Sequence, residues 1–392
     1  MKLEINTAGE SHGKGITTFI EGFPSGIELD KDLIDRELRR RQGGFGRGGR
    51  MEIEQDRAEV LSGFYQGKST GTPIVLWVAN EDWENWKEAI SPEEETGERK
   101  SVTLPRPGHA DLAGALKHGF EDFRPVLERT SARETAGRVA AGGLCKTLLR
   151  EFGVRIVSRV TRIGSAADLT DKDEVTLESW NELADDSPVR ATDGDAEEDM
   201  MAEIESAKED GDSLGGIFEV AALGVPPGIG SYSSADEKLD SKIAGGFMSI
   251  PAIKSVEIGL GKEAGSKPGS KVHDEIFHDE GRGFSRSTNN AGGIEGGVSN
   301  GEPLRLRATM KPIPTLARPL HSVDLVSGEE GKAAKERSDV CAVPAASIVG
   351  EAELASLVAG AFLDKFGGDT LDEVRQSFEN HGARIQNWFE EA

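Results

Sequence analysis

The chain has 392 residues, of which 36% are hydrophobic, and carries a formal net charge of −24 at pH 7. The length allows a large core. The longest apolar runs, such as Ile74 to Ala79, are too short to cross a bilayer. A charge within the first six residues argues against an export signal. The acidity argues against nucleic acid as a partner, and Cys145 and Cys341 form neither a disulfide framework nor a metal-binding spacing, so we expect a cytoplasmic protein with no nucleic-acid, membrane or metal partner.

The first third of the chain combines predicted strands with glycine-rich loops. A helix is predicted from Asp30 to Arg41, because Asp30 can cap it and leucine and isoleucine residues form an apolar stripe. Loops rich in glycine precede and follow this helix, at Thr7–Gly13 and Gly43–Arg50. Short strands are predicted at residues 3–6, 16–22, 51–54, 58–62 and 72–79.

A helix rich in small residues is predicted after Ser131. Ser131 and Glu134 have the spacing of a capping box, in which a serine hydroxyl and a glutamate three residues later close a helix N-terminus. Alanines and glycines dominate the residues that follow, up to Gly143. Glycine costs helix stability, so such a face indicates the close approach of another helix or sheet. We therefore expect this helix to be central.

The acidity is concentrated in one segment. Residues 168–212 contain 18 acidic residues and three basic ones. This distribution predicts a solvated excursion, and it leaves the rest of the chain much closer to neutral.

The second half of the chain predicts further strands and two C-terminal helices. The amphipathic helices span roughly residues 347–366 and 370–390, separated by Gly367 and Gly368. Strands are expected near 215–224, 254–259 and 304–309, and a helix near 235–245. No linker rich in proline or serine divides the chain, so one domain over residues 1–392 is favoured, with the acidic excursion inside it.

Two glycine-rich segments resemble nucleotide-binding loops only superficially. Residues 44–49 match the GxGxxG pattern, but they follow a charged helix rather than a strand. Residues 63–69 are one residue too short for a phosphate-binding loop. Neither segment supports a dinucleotide or nucleoside triphosphate site.

Histidines and arginines are the candidate chemical groups. His12 and His109 each lie in a glycine-containing loop, where an imidazole can reach a ligand, although a structural role is an open alternative for both. Arginines from Arg39 to Arg50 are interleaved with glycines and have few acidic neighbours, which favours a small polyanionic ligand over a solvated helix face. Asp339 follows Arg337 and precedes an apolar stretch, so it is either a structural ion-pair partner or a proton acceptor.

Seven motifs in one order resemble those of the chorismate synthase family. They cover roughly residues 1–350. The motifs are Gly-Glu-Ser-His-Gly at 9–13, Arg-Gln-Gly-Gly-Phe-Gly-Arg at 41–47, Arg-Pro-Gly-His-Ala-Asp at 106–111, Arg-Thr-Ser-Ala-Arg-Glu-Thr at 129–135, Asn-Ala-Gly-Gly at 290–293 with glycines at 296–297, Lys-Pro-Ile-Pro-Thr at 311–315, and Arg-Ser-Asp-Val-Cys-Ala-Val-Pro at 337–344.

The resemblance implies a carbon–oxygen lyase of the shikimate pathway, which makes precursors of aromatic amino acids. The family converts 5-enolpyruvylshikimate 3-phosphate to chorismate with loss of phosphate from C3 and of a hydrogen from C6. It requires reduced FMN although the reaction has no net redox change. The resemblance also implies an α+β fold, a single-domain β-α-β sandwich with central helices between antiparallel sheets, and a homotetramer.

The resemblance also implies roles for individual residues. His12 would protonate the departing phosphate, His109 would lie near N1 of the reduced flavin, and Asp339, relayed through Ser11, would accept a proton from flavin N5. Arg41 and Arg47 match positions for NADP, and could equally hold substrate. The residues expected to hold FMN are Arg129, Thr130, Ser131, Pro251, Ala252, Gly296, Lys311, Pro312, Ile313, Pro314, Thr315 and Arg337.

Two alternatives remain beside this interpretation. A non-catalytic anion-binding protein could use the same arginines. A bifunctional enzyme could reduce its own FMN with NADPH, although the missing dinucleotide fingerprint disfavours it.

Overall fold

The computed structural model describes residues 2–47, 55–90, 101–170, 175–279, 283–336 and 339–389. The predicted strand at residues 51–54 therefore lies outside the described residues. Within them, helices combine with antiparallel sheets, and the prediction of a mixed α+β fold is confirmed. The helices are α1 (Lys31–Gln42), α2 (Asp111–His118), α3 (Arg124–Thr130), α4 (Thr135–Arg150), α5 (Trp180–Asp186), α6 (Gly194–Asp210), α7 (Leu239–Ser249), α8 (Val343–Phe366) and α9 (Leu371–Gln386).

The first sheet is antiparallel and has four strands in the order β1-β2-β6-β3. Alternate residues of β2 and β6 are buried, among them Ile16, Ile20, Ile74 and Leu76, because a strand turns successive side chains to opposite faces. The buried face packs against α1 and α4. The strands in this part of the chain are β1 (Glu4–Ala8), β2 (Gly15–Glu21), β3 (Ala58–Ser62), β4 (Phe64–Tyr65), β5 (Lys68–Ser69) and β6 (Ile74–Ala79).

The second sheet is also antiparallel and has five strands in the order β10-β15-β9-β7-β8. Its central strand β9 is buried along nearly its whole length, because α8 covers one face and Trp180 packs with Val157, Ala221 and Leu223 on the other. The strands are β7 (Arg155–Ile163), β8 (Ala166–Ala167), β9 (Gly216–Leu223), β10 (Ile253–Ile258) and β15 (Leu304–Met310). The remaining strands form two-stranded hairpins: β11 (Ile276–Asp279) with β12 (Gly283–Arg286), β13 (Ile294–Glu295) with β14 (Val298–Ser299), β16 (His321–Val323) with β17 (Glu330–Lys332), and β4 with β5.

Helices α4 and α8 pack against each other between the two sheets, with α4 on β2 and β6 and α8 on β7 and β9. The glycines of α4 allow this contact. A Cβ atom at Gly142 would lie 2.4 Å from the Cα of Ala352 in α8, and one at Gly143 would lie 3.0 Å from Ile34 Cα in α1. The expectation that the helix after Ser131 is central and closely approached is confirmed.

Helix α8 is longer and more buried than the amphipathic helix predicted at 347–366. It begins at Val343 and is long and apolar enough to span a membrane by length and composition, but 78% of its apolar window is buried inside the protein. A helix that packs on α1, α4, α7 and the second sheet needs apolar residues all round. The shorter α9 is the amphipathic one, and Thr370 closes it with a capping box.

The acidic segment packs two helices against the core, which corrects the expectation of an excursion, while most of its described carboxylates are exposed to solvent as expected. Among its described residues, α5 buries Trp180 and α6 buries Met200 and Ile204. Asp185 accepts hydrogen bonds from Arg40 of α1 and from Arg190. The apolar positions of α5 and α6 are sparse among the acids, so their periodicity is weak in the sequence.

Candidate active site

One cavity of about 990 Å³ collects most of the residues expected to act on a ligand. Its lining includes seven basic and four acidic side chains, so it is locally electropositive in an acidic protein. The predicted residues that line it are Ser11, His12, Arg41, Arg47, His109, Arg129, Thr130, Ser131, Pro251, Ala252, Lys311, Ile313, Pro314, Thr315 and Asp339.

Two predicted flavin residues, Pro312 and Gly296, do not line this cavity, and a third lies outside the described residues. Pro312 is exposed, although both of its neighbours line the cavity. Gly296 lies in the turn between β13 and β14 with a φ of +61°, and its neighbour Gly297 packs against Lys238. Arg337 lies outside the described residues.

His12 is held on a glycine loop by a carboxylate from α3. Its Nδ1 lies 2.9 Å from Glu128 Oε1, and its backbone N–H donates to Glu128 Oε2 at 2.8 Å. The loop turns at Gly9, where φ is +121° and an added Cβ would meet the Gly15 carbonyl oxygen at 2.4 Å, so only glycine fits. Trp86 covers the imidazole with a ring-centroid distance of 4.0 Å.

Glu128 is ionised in this environment. Burial disfavours its charge, but hydrogen bonds and charge from His12 and the charge of Arg124 outweigh burial and hold the pKa of Glu128 below its ordinary value. The result is a buried anion directly beneath one ring nitrogen of His12.

His109 has a parallel arrangement at the start of α2. Its Nδ1 lies 2.5 Å from Oδ1 of Asp111, which is fully buried. Arg106 binds the same carboxylate through Nε at 2.8 Å and also donates to Thr315 Oγ1 at 2.9 Å. Burial opposes the charge of Asp111, but the hydrogen bonds from His109 and Arg106 lower the pKa of this carboxyl strongly.

The C-terminal end of α3 and the turn that follows it present Arg129, Thr130 and Ser131 to the cavity. Arg129 is fixed by hydrogen bonds to the carbonyls of Thr7 and Gly9 at 2.8 and 3.3 Å. The Ser11 hydroxyl donates to Ser131 Oγ at 3.0 Å, which joins this turn to the loop that carries His12.

The predicted capping box at this turn is wrong in its second half. The Ser131 hydroxyl does accept a hydrogen bond at the helix start, but from the backbone N–H of Arg133. The Glu134 carboxylate accepts instead from Thr7 and Arg138, at 3.0 and 2.9 Å. A short 3₁₀ turn over Ala132–Glu134 precedes α4 and changes the spacing that a capping box requires.

The two arginines matched to NADP positions lie on the wall of the same cavity. Arg41 donates to the buried carboxylate of Asp56 at 2.6 Å, and among the described residues no acceptor reaches its buried Nε. Arg47 pairs with Asp339 at 3.0 Å, because the Gly46 carbonyl accepts from the backbone N–H of Val340 and brings the two segments together.

The backbone of the cavity lining is strained at Ala252. Its φ of +69° is in the left-handed region, where a residue with a side chain is disfavoured, and such strain often marks a functional site. The Ala252 carbonyl accepts from the backbone N–H of Lys311 at 3.0 Å, and Lys311 Nζ donates to the Gly108 carbonyl. Burial, together with the nearby Lys254, lowers the pKa of Lys311.

Several residues at this site were not singled out from the sequence. Arg106 and Arg133 lie inside the predicted motifs and Arg138 lies three residues after one, so their clustering with other arginines was a usable signal. Glu128 adjoins Arg129 but resembles any helical glutamate. Trp86 and Asp56 carry no local signal, because only the tertiary fold brings them to the cavity. Within the parts of the chain that the structure describes, no group of three histidine, cysteine or carboxylate side chains could hold a metal ion.

The comparisons with known proteins agree in sequence and in structure. The family model described as chorismate synthase matches residues 3–363. A chorismate synthase of Desulforudis audaxviator is 54% identical over 386 residues, covering 98% of each chain, and one of Aquifex aeolicus is 52% identical over 393 residues, covering 98% of this chain and 99% of the relative.

A solved crystal structure of chorismate synthase aligns over 99% of both chains with a TM-score of 0.81 and 43% sequence identity. Because the likeness extends over nearly the full length of both partners, in sequence and in three dimensions, the chain belongs to the chorismate synthase family.

Proposed function

We propose that this protein catalyses the family reaction, the elimination of phosphate from 5-enolpyruvylshikimate 3-phosphate to give chorismate for aromatic amino acid biosynthesis. In that step the C3–O bond breaks, phosphate leaves, and a hydrogen is lost from C6, so the enzyme is a carbon–oxygen lyase. The observation that carries the proposal is that two histidines, each hydrogen-bonded to a buried carboxylate, line one cavity with seven basic side chains.

The size and charge of the cavity fit a phosphorylated dicarboxylate together with FMN. Its volume of about 990 Å³ is at the upper end of the range for small-molecule sites, roughly 300–1,000 Å³. A buried donor without an acceptor is costly, and an anionic ligand oxygen would satisfy Arg41 Nε. Both features support a site for two anionic molecules.

The residues that would hold FMN are Arg129, Thr130, Ser131, Pro251, Ala252 and the segment Lys311 to Thr315. Reduced FMN, when bound, supplies transient electron density that makes loss of the C6 hydrogen feasible. Gly296 and Arg337 remain proposed ligands by family resemblance alone, and Gly296 lies outside the cavity lining.

The histidines would handle protons. His12 would donate a proton to an oxygen of the departing phosphate, and His109, fixed by Arg106 and Asp111, would present an imidazole to the anionic cofactor ring. Asp339 would accept a proton by way of Ser11. Its carboxylate lies 3.0 Å from Arg47 Nη1 in the cavity wall.

Arg41 and Arg47 are assigned to an anion of the substrate. Both line the same cavity as the two histidines, which supports this assignment over a separate nicotinamide nucleotide site. NADPH would then act only as a distant source of reducing equivalents. We further propose, by family resemblance, a cytoplasmic homotetramer in which each chain is one β-α-β sandwich domain.

An anaerobic assay with chemically reduced FMN tests the function. Chorismate absorbance is expected on addition of 5-enolpyruvylshikimate 3-phosphate, and none is expected with oxidised FMN. Binding of both ligands without turnover would instead identify an anion-binding protein. Bleaching of FMN by NADPH without added reductase would identify the bifunctional alternative.

A further inference from the structure

Glu128 contacts His12 through both carboxylate oxygens. Oε1 and Oε2 lie 2.9 and 3.1 Å from His12 Nδ1, and Oε2 also accepts the His12 backbone N–H at 2.8 Å. The Glu128 carbonyl accepts the backbone N–H of Ser11 at 3.1 Å. One residue of α3 therefore fixes both the backbone and the ring of the loop that carries His12.

The carboxylate itself is firmly held. The Glu128 side chain is 2% exposed, and Arg124, one helical turn earlier, donates to Oε1 at 3.4 Å. Arg124 also stacks on Trp86, with its guanidinium carbon 5.3 Å from the ring centroid. Since Trp86 covers His12, the imidazole is held between an aromatic face and a carboxylate.

This geometry specifies how the ring is oriented and protonated. A carboxylate is acceptor-only, so Nδ1 must carry a hydrogen toward Glu128. Nε2 is then the nitrogen that exchanges a proton with a ligand in the cavity.

We propose that Glu128 is the positioning residue for the reaction: it fixes the orientation and the Nδ1–H tautomer of His12, the group that delivers a proton to the departing phosphate. The inference rests on the proposed function for the role of His12 as proton donor. The orientation and tautomer of the ring follow from the contacts of Glu128 alone.

The other charged groups near the His12 ring have different partners. Arg124 lies on the same helix and pairs with Glu336 at 3.1 Å as well as with Glu128. Asp82, which also lines the cavity, accepts the Trp86 indole N–H at 3.0 Å. Among the residues that the structure describes, both Glu128 oxygens lie within hydrogen-bonding distance of His12 Nδ1, whereas Asp82 and Glu336 bind Trp86 and Arg124 instead.

The replacement Glu128→Gln tests the inference through hydrogen-bond chemistry. The amide oxygen must accept the His12 backbone N–H, which turns the amide N–H₂ toward Nδ1. Nδ1 then has to accept, so the neutral ring switches to the Nε2–H tautomer. Nitrogen-15 NMR of histidine-labelled protein without ligand should show Nδ1–H for His12 in the wild type and Nε2–H in the variant.

The kinetic readout is the split between kcat and KM. We expect Glu128→Gln to lower kcat on the order of 10²-fold, with a much smaller change in KM, because the loss affects proton delivery rather than binding. Glu128→Asp keeps the charge and should recover part of kcat.

The controls separate the two proposals. Glu121→Gln removes an exposed carboxylate shortly before α3 and should leave kcat unchanged. If the wild type forms no chorismate, the proposed function fails, while the NMR prediction still tests the tautomer. If the wild type is active and Glu128→Gln keeps its kcat, the inference is overturned. The inference would also be overturned if His12 of the wild type carried its hydrogen on Nε2. Equal losses of kcat in the Gln and Asp variants, in proportion to their losses of thermal stability, would overturn it as well.

Discussion

Arg41 and Asp56 form a buried ion pair on the wall of the cavity, with a guanidinium nitrogen 2.6 Å from Asp56 Oδ2. Arg133 binds the other carboxylate oxygen at 2.5 Å, so one buried anion holds two cavity arginines. Burial opposes the charge of Asp56, but Arg41 and Arg133 outweigh it and lower the pKa of this carboxyl. The arginines are thereby fixed before any ligand arrives.

The change Asp56→Ala should therefore destabilise the protein and weaken substrate binding together. Removing one partner of a buried ion pair leaves uncompensated charge and typically costs about 3–5 kcal/mol. Urea unfolding should show this loss, and the KM for substrate should rise because Arg41 is no longer oriented. The exposed Asp236 provides the control, since Asp236→Ala should change stability by less than about 0.5 kcal/mol. Unchanged unfolding of Asp56→Ala would contradict the pairing.

Local patterns in the sequence predicted much of the fold. Strands such as β2 and β9 and helices such as α1 and α4 follow from residue periodicity and caps, which act over a few neighbouring residues. The small residues of α4 also predicted its close contacts, now found at Gly142 and Gly143. The motif residues His12, His109 and Arg129 share one cavity, as the resemblance implied.

Partnerships between distant residues could not be predicted. Glu351 binds Arg40, which is 311 residues away in the chain, and Glu128 binds His12 across 116 residues. Such pairs depend on which helices the topology brings together, and a glutamate in a helical pattern is normally a solvated residue. The same reason explains why α6 was not recognised as packed: its apolar residues are few, and their burial depends on the surface that receives them.

The change His109→Ala should abolish most turnover while the protein stays folded. Loss of a group that handles a proton commonly costs 10²-fold or more in rate. Arg106 and Asp111 keep their own contact at 2.8 Å, so the wall of the cavity should survive. Chorismate formation with reduced FMN measures the loss, and flavin binding should persist. His118→Ala serves as the control, because His118 is exposed on α2 and does not line the cavity. Near-normal turnover of His109→Ala would refute its role.

Stability should fall in acid because buried carboxylates are paired with cations. Glu351 is fully buried, and although burial disfavours its charge, Arg40 and Lys146 outweigh this effect and lower the pKa of Glu351 well below 4.5. The unfolded chain therefore binds a proton at this group at a higher pH than the folded one. The stabilisation is fully present above about pH 4.5 and is lost progressively as pH falls below that value.

Urea unfolding from pH 7 down to pH 3.5 measures this dependence. The free energy of unfolding should decline steadily below pH 4.5, and the decline should be shallower in Glu351→Gln, which has no proton to gain at this site. At pH 7 that variant should be less stable by about 3–5 kcal/mol, because Arg40 and Lys146 lose a buried partner. A variant with the same acid slope as the wild type would show that Glu351 is not the titrating group.

The same substitution, glycine to alanine, should have opposite effects at two helical positions. At Gly142 the added Cβ would lie 2.4 Å from both Cα and Cβ of Ala352, so α4 and α8 must move apart; overpacking of this kind costs about 1–3 kcal/mol. At Gly245, an exposed position of α7, no atom lies within 4 Å of the added Cβ, and alanine should stabilise the helix by about 0.4–1 kcal/mol through the unfolded state. Urea unfolding of the two variants under one set of conditions gives the comparison. If Gly142→Ala and Gly245→Ala changed the free energy of unfolding equally, α4 and α8 could not be in the close contact on which the packing of both sheets depends.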